Sequence, residues 1–193
     1  MKIAVIKYNA GNIHSVRLAL QRLNVDPIVT DDIPTIKSAD KVIFPGVGEA
    51  STAMAFIKAN GIAELIPQLK QPVLGICLGL QLMCRDSEEN NTECLGIFNT
   101  AVRRFPPDDK VPHMGWNTLR DLRGDLFKNV DSETFVYFVH SYYAELDPFT
   151  IATTDYILPF GAAMQRDNFF AVQFHPEKSG VVGEQLLRNF IAL

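Results

Sequence analysis

Three short patches of this 193-residue sequence combine residue types that do covalent chemistry. The sharpest is Gly75-Ile76-Cys77-Leu78-Gly79, where a thiol follows the apolar run from Pro72 and precedes a segment with helical spacing. A side chain on so tight a strand-to-helix turn, a nucleophile elbow, is pushed out at the carboxyl edge of a sheet, and flanking glycines relieve crowding around the strained backbone. Helix-start N–H groups favour thiolate over thiol, and the N–H of Leu78 is placed to hold an oxyanion. Taken alone, Cys77 also reads as a small buried hydrophobe, which free cysteines often are.

A thiolate nucleophile needs a proton carrier, and Gln173-Phe174-His175-Pro176-Glu177 offers one at the end of a second apolar strand. Pro176 stops the strand and restricts the backbone, so Glu177 can fold back to accept a hydrogen bond from His175, fixing its tautomer and stabilising the imidazolium. The turn Pro45-Gly46-Val47-Gly48 follows a third apolar run. In an open α/β sheet it lies at the same carboxyl edge as the elbow and supplies a second oxyanion donor; read alone it is an ordinary glycine turn. Other candidates are weaker. Cys84 falls in the helix expected after the elbow and reads as core, and Cys94 lies in an Asn-rich loop. His140 sits inside an alternating strand, His14 on the first helix and His113 in a Pro-flanked loop. The four histidines have no metal-ligand spacing, so neither a metal nor another cofactor is expected.

The elements that must position these groups alternate in the first half of the chain. Strands are expected at Lys2 to Lys7, Pro27 to Thr30, Lys41 to Phe44 and Pro72 to Ile76. Between them come a turn at Ala10-Gly11 and helices over Asn12 to Leu23, around Ala53, Phe56 and Ile57, and from Leu78 to about Ser87. That alternation predicts an α/β fold: an open, largely parallel sheet with helices on both faces. The second half holds β-branched and aromatic runs at Ile97 to Phe105, Thr134 to Tyr143, Ile151 to Tyr156 and Phe169 to Phe174, which make the sheet mixed, and an amphipathic helix over Val182 to Leu193 closes the chain. With 47% hydrophobic residues, one domain over residues 1–193 is expected.

Composition excludes several classes of function. A net charge of −4 with no basic cluster beyond Arg103-Arg104 argues against nucleic acid as a partner. The apolar start at Ile3 to Ile6 is too short for a signal segment and no run approaches a membrane span, so a cytoplasmic protein is expected. Three cysteines without a Cys-x-x-Cys pair predict reduced thiols.

Together the three patches resemble the signature of the class I, or triad, glutamine amidotransferases. The resemblance implies a flavodoxin-like domain that hydrolyses the side-chain amide of L-glutamine to glutamate and ammonia. Cys77 would be the nucleophile, His175 the general base and acid, and Glu177 its orienting partner. Gly46, Val47 and Leu78 would form the oxyanion site, and Gly48, Gln81, Glu89, Ser141 and Tyr142 would surround the glutamine. A carboxylate at Glu89 suits an α-ammonium group, although Glu88-Glu89 also reads as solvated surface.

Within that family, Ala10-Gly11-Asn12 with Ser15-Val16, the loop Val111 to Asn117 and Lys178-Ser179-Gly180 resemble the glutaminases of histidine biosynthesis. Those dock on a (βα)₈-barrel cyclase, which uses the ammonia to make imidazole glycerol phosphate and an aminoimidazole carboxamide ribonucleotide. Asn12, Met114, Trp116 and Lys178 would then face the cyclase. One departure is Lys7-Tyr8-Asn9-Ala10, where the family often carries an acidic residue and a glycine around the tyrosine. The rival readings are a glutaminase serving another synthase, a cysteine peptidase or redox sensor of similar fold, and a binding module that kept the fold.

Overall fold

A computed structural model describes residues 1–8 and 12–193. The expected turn at Ala10-Gly11 and part of the Lys7-Tyr8-Asn9-Ala10 departure lie outside the described residues. The first half runs β1 (Ile3–Ile6), α1 (Ile13–Arg22), β2 (Ile28–Thr30), α2 (Ile33–Lys37), β3 (Lys41–Phe44), α3 (Ala50–Ala59), α4 (Ile62–Leu65), β4 (Val73–Ile76) and α5 (Leu78–Met83). The second half runs β5 (Asp86–Ser87), β6 (Thr92–Glu93), β7 (Ala101–Arg104), β8 (His113–Thr118), β9 (Phe135–His140), β10 (Tyr142–Ala144), β11 (Thr150–Tyr156), β12 (Leu158–Arg166), β13 (Phe169–Val172) and α6 (Gly180–Ala192). No helix among the described residues is long and apolar enough to cross a membrane.

The main sheet runs β2-β1-β3-β4-β13-β12-β10-β7-β5-β6, with β11 also paired to β12. From β2 to β13 every pairing is parallel, and beyond β13 the strands turn antiparallel apart from β5 on β7. The expected helix-covered, mixed α/β sheet is the fold observed. Strands β1, β3, β4 and β13 are buried at every position. Their alternate residues enter two cores: Ile6, Val42, Phe44 and Ala171 on one face, Ile3, Val5, Ile43 and Val172 on the other. Covering both faces removes the polar alternation of a one-sided strand, which is why these strands read as unbroken apolar runs.

The sequence expectations fail where tertiary pairing overrides local pattern. The helix after the elbow stops at Met83 rather than near Ser87: Cys84 turns extended, and Asp86 and Ser87 pair with Ala101 and Val102 instead. The run from Thr134 to Tyr143 is not one strand. It breaks at Ser141, leaving β9 paired with β8 in a separate two-stranded sheet while β10 joins the main one. Strand β8 itself replaces the loop expected around His113 to Asn117, and β12 was hidden by Pro159 and Gly161 at positions that strands usually avoid.

One close approach fixes the elbow in place. A Cβ added at Gly79 would lie 2.0 Å from the carbonyl oxygen of Phe44, so α5 can start against the end of β3 only with glycine there. Gly79→Ala is expected to destabilise the fold by about 1–3 kcal/mol, measured by denaturant unfolding, because backbone rather than a flexible side chain must yield.

Candidate active site

Cys77 occupies φ 54°, ψ −106°, a conformation that costs a non-glycine residue about 1–3 kcal/mol and persists only where its surroundings over-determine it. Its N–H donates to the Val172 carbonyl at 2.8 Å and its own carbonyl accepts from Gln81 N–H at 3.3 Å. Because β4 pairs in register with β13, Ile76 against Val172, the residues that follow each strand emerge side by side. Cys77 follows the first, and Gln173 and His175 follow the second.

His175 is fully buried, and its Nδ1 lies 2.7 Å from Glu177 Oε1, both side chains being closed to solvent. The 3-10 turn Pro176–Lys178 brings the carboxylate back under the ring, as the Pro-Glu pair predicts. With Nδ1 given to the carboxylate, Nε2 has no hydrogen-bond partner among the described residues and is left for the thiol. Burial by itself would lower the ring's pKa. The neighbouring Cys77 sulfur and the Glu177 carboxylate outweigh it, raising His175 from 6.5 to about 10. Asn12 Nδ2 donates to the same Glu177 oxygen. The structure therefore places Asn12, expected at a partner surface, behind the His–Glu pair.

The sulfur opens on a cavity of about 360 Å³. Val47, Gly48, Leu78, Gln81, Glu89, Ser141 and Tyr142, all expected around the reacting group, line it. Glu89 is half-buried at the start of α3, where its Oε2 accepts the Ala50 N–H at 2.7 Å; burial raises its pKa, with that hydrogen bond opposing the rise. Both amide N–H bonds of Gln81 are spent internally, on Tyr142 O at 3.0 Å and Gln173 Oε1 at 3.1 Å, so only its oxygen is left for a ligand. The Tyr142 carbonyl is likewise occupied and cannot receive a ligand donor.

The oxyanion position is occupied by backbone. Leu78 N–H points at the Gly46 carbonyl, 3.3 Å away, and Gly46 O therefore stands where an oxyanion would. Gly46 has no room for a side chain: a Cβ there would meet Tyr8 Oη at 2.1 Å, and the Tyr8 hydroxyl donates to Pro45 O at 2.6 Å.

Sequence reasoning missed Tyr8, Gln173, Pro112 and Val139. An amide inside the apolar run Phe169 to Phe174 was the available signal for Gln173, and the family's first-turn tyrosine that for Tyr8; Pro112 and Val139 carried none. Of the residues expected to face a partner, Met114 and Trp116 are 57% and 55% exposed, beside Phe135 at 58%. The exposed Lys178 places its Nζ 5.8 Å from the Tyr137 ring, which Trp116 meets edge-on. This apolar patch is close to the triad in the chain's bonding: His175 N–H donates to the Tyr137 carbonyl at 2.9 Å.

A thiol on a strained elbow, with a buried His–Glu pair on the neighbouring strand and a cavity holding a carboxylate, is an arrangement suited to acyl transfer through sulfur on an open α/β sheet. The chain belongs to the class-I glutamine amidotransferase family, whose model matches residues 4–193. It is 61% identical to imidazole glycerol phosphate synthase subunit HisH of Bacteroides fragilis, over the whole of both chains. The same subunit of Bacteroides thetaiotaomicron is 60% identical, and that of Blochmanniella floridana 44%, again over both full lengths. Among solved structures, PurLQS from Thermotoga maritima matches with TM-score 0.76 and 16% identity, covering 99% of this chain and 97% of that one. A glutamine amidotransferase from Thermotoga maritima matches at TM-score 0.66 and 16% identity, covering 100% and 83%. These two show the fold.

The raised pKa of His175 fixes a sign. A ring whose folded value exceeds its unfolded one stabilises the fold fully below pH 6.5 and loses that contribution as pH rises towards about 10. The stability gap between the wild-type chain and His175→Gln is expected to narrow over that interval, followed by urea unfolding at a series of pH values.

Proposed function

We propose that this chain is the glutaminase subunit of an imidazole glycerol phosphate synthase, acting in the cytosol on L-glutamine and delivering ammonia to a (βα)₈-barrel cyclase. The observation that carries the reading is the Cys77-His175-Glu177 arrangement at one sheet edge, open to a cavity with room for an amino acid. The proton rests on His175, and the Cys77 sulfur attacks the side-chain amide carbon of glutamine. N–H groups of Leu78 and Val47 hold the oxyanion, and the carboxylate of Glu89 takes the α-ammonium group. His175 gives its proton to the departing nitrogen, and ammonia leaves behind a glutamyl thioester. Water, deprotonated by His175, then attacks the thioester and releases glutamate.

The observed loop is not ready for that step, because the Gly46 carbonyl fills the place of the oxyanion. Turning over the Gly46–Val47 peptide exchanges this oxygen for the Val47 N–H and frees Leu78. Among the described residues only one N–H···O bond to this peptide, longer than the common range of about 2.7–3.2 Å, is lost in doing so. A partner that binds the turned-over form better would shift the population towards it. The exposed Met114, Trp116 and Phe135, with Lys178 beside them, form an apolar face of the kind a partner covers. Ammonia made without an acceptor is wasted, so under this reading activity is tied to the partner's bound ribonucleotide.

Glutamate release by the purified chain is expected to be slow, to rise by at least about tenfold with the cyclase and its ribonucleotide ligand, which is about 1.4 kcal/mol of population shift, and to vanish in Cys77→Ser. Equal rates with and without the cyclase would overturn the gating, and no glutamine turnover under any condition would overturn the glutaminase reading.

A further inference from the structure

Gln173 takes no part in the chemistry described above, yet it is fully buried and its amide nitrogen lies 3.7 Å from the Cys77 sulfur. A primary amide can present either end to a neighbour: N–H groups that stabilise an anion, or an oxygen that repels it. Here the choice is dictated by a backbone group. The Tyr142 carbonyl can only accept, so Gln81 must turn its nitrogen towards it, at 3.0 Å. The second N–H of that nitrogen then faces Gln173 at 3.1 Å, which must answer with its oxygen. Its own nitrogen is thereby left pointing at the sulfur.

The Tyr142 carbonyl is in turn held from the other side. His140 Nδ1 lies 2.7 Å from it and must donate, which leaves His140 Nε2 as an acceptor. His113 Nδ1, 3.0 Å away, supplies that proton, and His113 Nε2 accepts from Asn117 Nδ2 at 3.2 Å. Every donor in the series meets an acceptor only if both rings are neutral. Burial pushes both towards neutrality, His113 down to about 4 and His140 to about 3.

Resting on the glutaminase reading for what the thiolate does, we infer that Gln173 is a thiolate-stabilising residue. Its amide is polarised towards Cys77 by Gln81 and the Tyr142 carbonyl, with His140 and His113 as positioning residues. A merely structural glutamine would fill the same space whichever end faced the sulfur. Other titratable groups around the sulfur are His175 with Glu177 behind it, Tyr8, and His140 and Glu89 in the cavity lining; each of these side chains is retained in both variants.

The test is the rate at which iodoacetamide alkylates Cys77 in the full chain, located by peptide mass spectrometry and measured across a pH series, in wild type, Gln173→Leu and Gln173→Glu. Leu removes the donor while keeping the core filled. Glu keeps the acceptor for Gln81 but sets a carboxylate oxygen, or a proton shared with it, against the sulfur. A lost N–H bond to an anion should lower the Leu rate about tenfold at neutral pH, with the deficit closing as pH rises and the thiol ionises regardless. The Glu rate should fall further, giving the order Gln, Leu, Glu. Packing alone would put Glu above Leu, and that order, or equal rates in all three, would overturn the inference. If Gln173→Glu does not fold, judged by circular dichroism, the Leu variant decides through its pH dependence: a deficit that persists at high pH is a packing effect and overturns the proposal. Because no glutamine is used, failure here leaves the glutaminase reading standing, and absence of glutamine turnover would not alter the alkylation order.

Discussion

The hydrogen bond from the Cys77 N–H to the Val172 carbonyl, at 2.8 Å, is the interaction on which the site depends. It continues the parallel ladder of β4 and β13 one residue beyond the end of β4, and so holds the nucleophile in a backbone conformation that nothing local favours. The same pairing sets Gln173 and His175 beside the sulfur although almost a hundred residues separate them from it. Parallel neighbours with no shared turn can be joined in this way only by crossover connections, which is what the covered α/β sheet provides. Strain at Cys77 is therefore supported by the sheet: the buried strands on both sides, with the Phe44 carbonyl against Gly79, hold the elbow where it is.

Around this rigid edge, polarity is assigned by groups that can only accept hydrogen bonds rather than by chance. Glu177 fixes which nitrogen of His175 meets the sulfur, and the Tyr142 carbonyl fixes which ends of Gln81 and Gln173 face one another. The oxyanion loop is the exception. There a single peptide plane presents its oxygen where the reaction calls for N–H, held among the described residues by one bond of 3.3 Å. A rigid nucleophile with a loosely held oxyanion loop suits an enzyme whose product is useful only when an acceptor is ready. Strand β9 joins this edge to the exposed apolar face, since its Tyr137 carbonyl takes the His175 N–H while its ring lies among Trp116 and Lys178.

Much of the fold and of the site was legible in the sequence, for physical reasons. Strands buried on both faces leave continuous apolar runs, so β1, β3 and β4 were readable nearly to the residue. Cys77 and the His175-Pro176-Glu177 group were readable because their constraints are local: glycines at a tight turn and a proline that ends a strand. What escaped depended on distant partners. Strand β8 exists through its pairing with β9, and the two-residue β5 through its pairing with β7, neither marked in its own composition. Asn12, expected at a partner interface, carried no sign of its contact with Glu177, which only the fold creates. His113 and His140 seemed unrelated until β8 and β9 paired them. The direction of the Gly46 carbonyl has no sequence signature, since glycine permits either orientation.

The central claim is that the elbow makes Cys77, alone among three cysteines, a nucleophile towards glutamine. Its most direct measurement uses a glutamine analogue carrying a chloroketone in place of the side-chain amide, with intact-protein and peptide mass spectrometry on the purified chain. The expected result is one covalent label per chain, on Cys77, suppressed by excess glutamine. Label on Cys84 or Cys94, or labelling of Cys77 that glutamine does not slow, would contradict it.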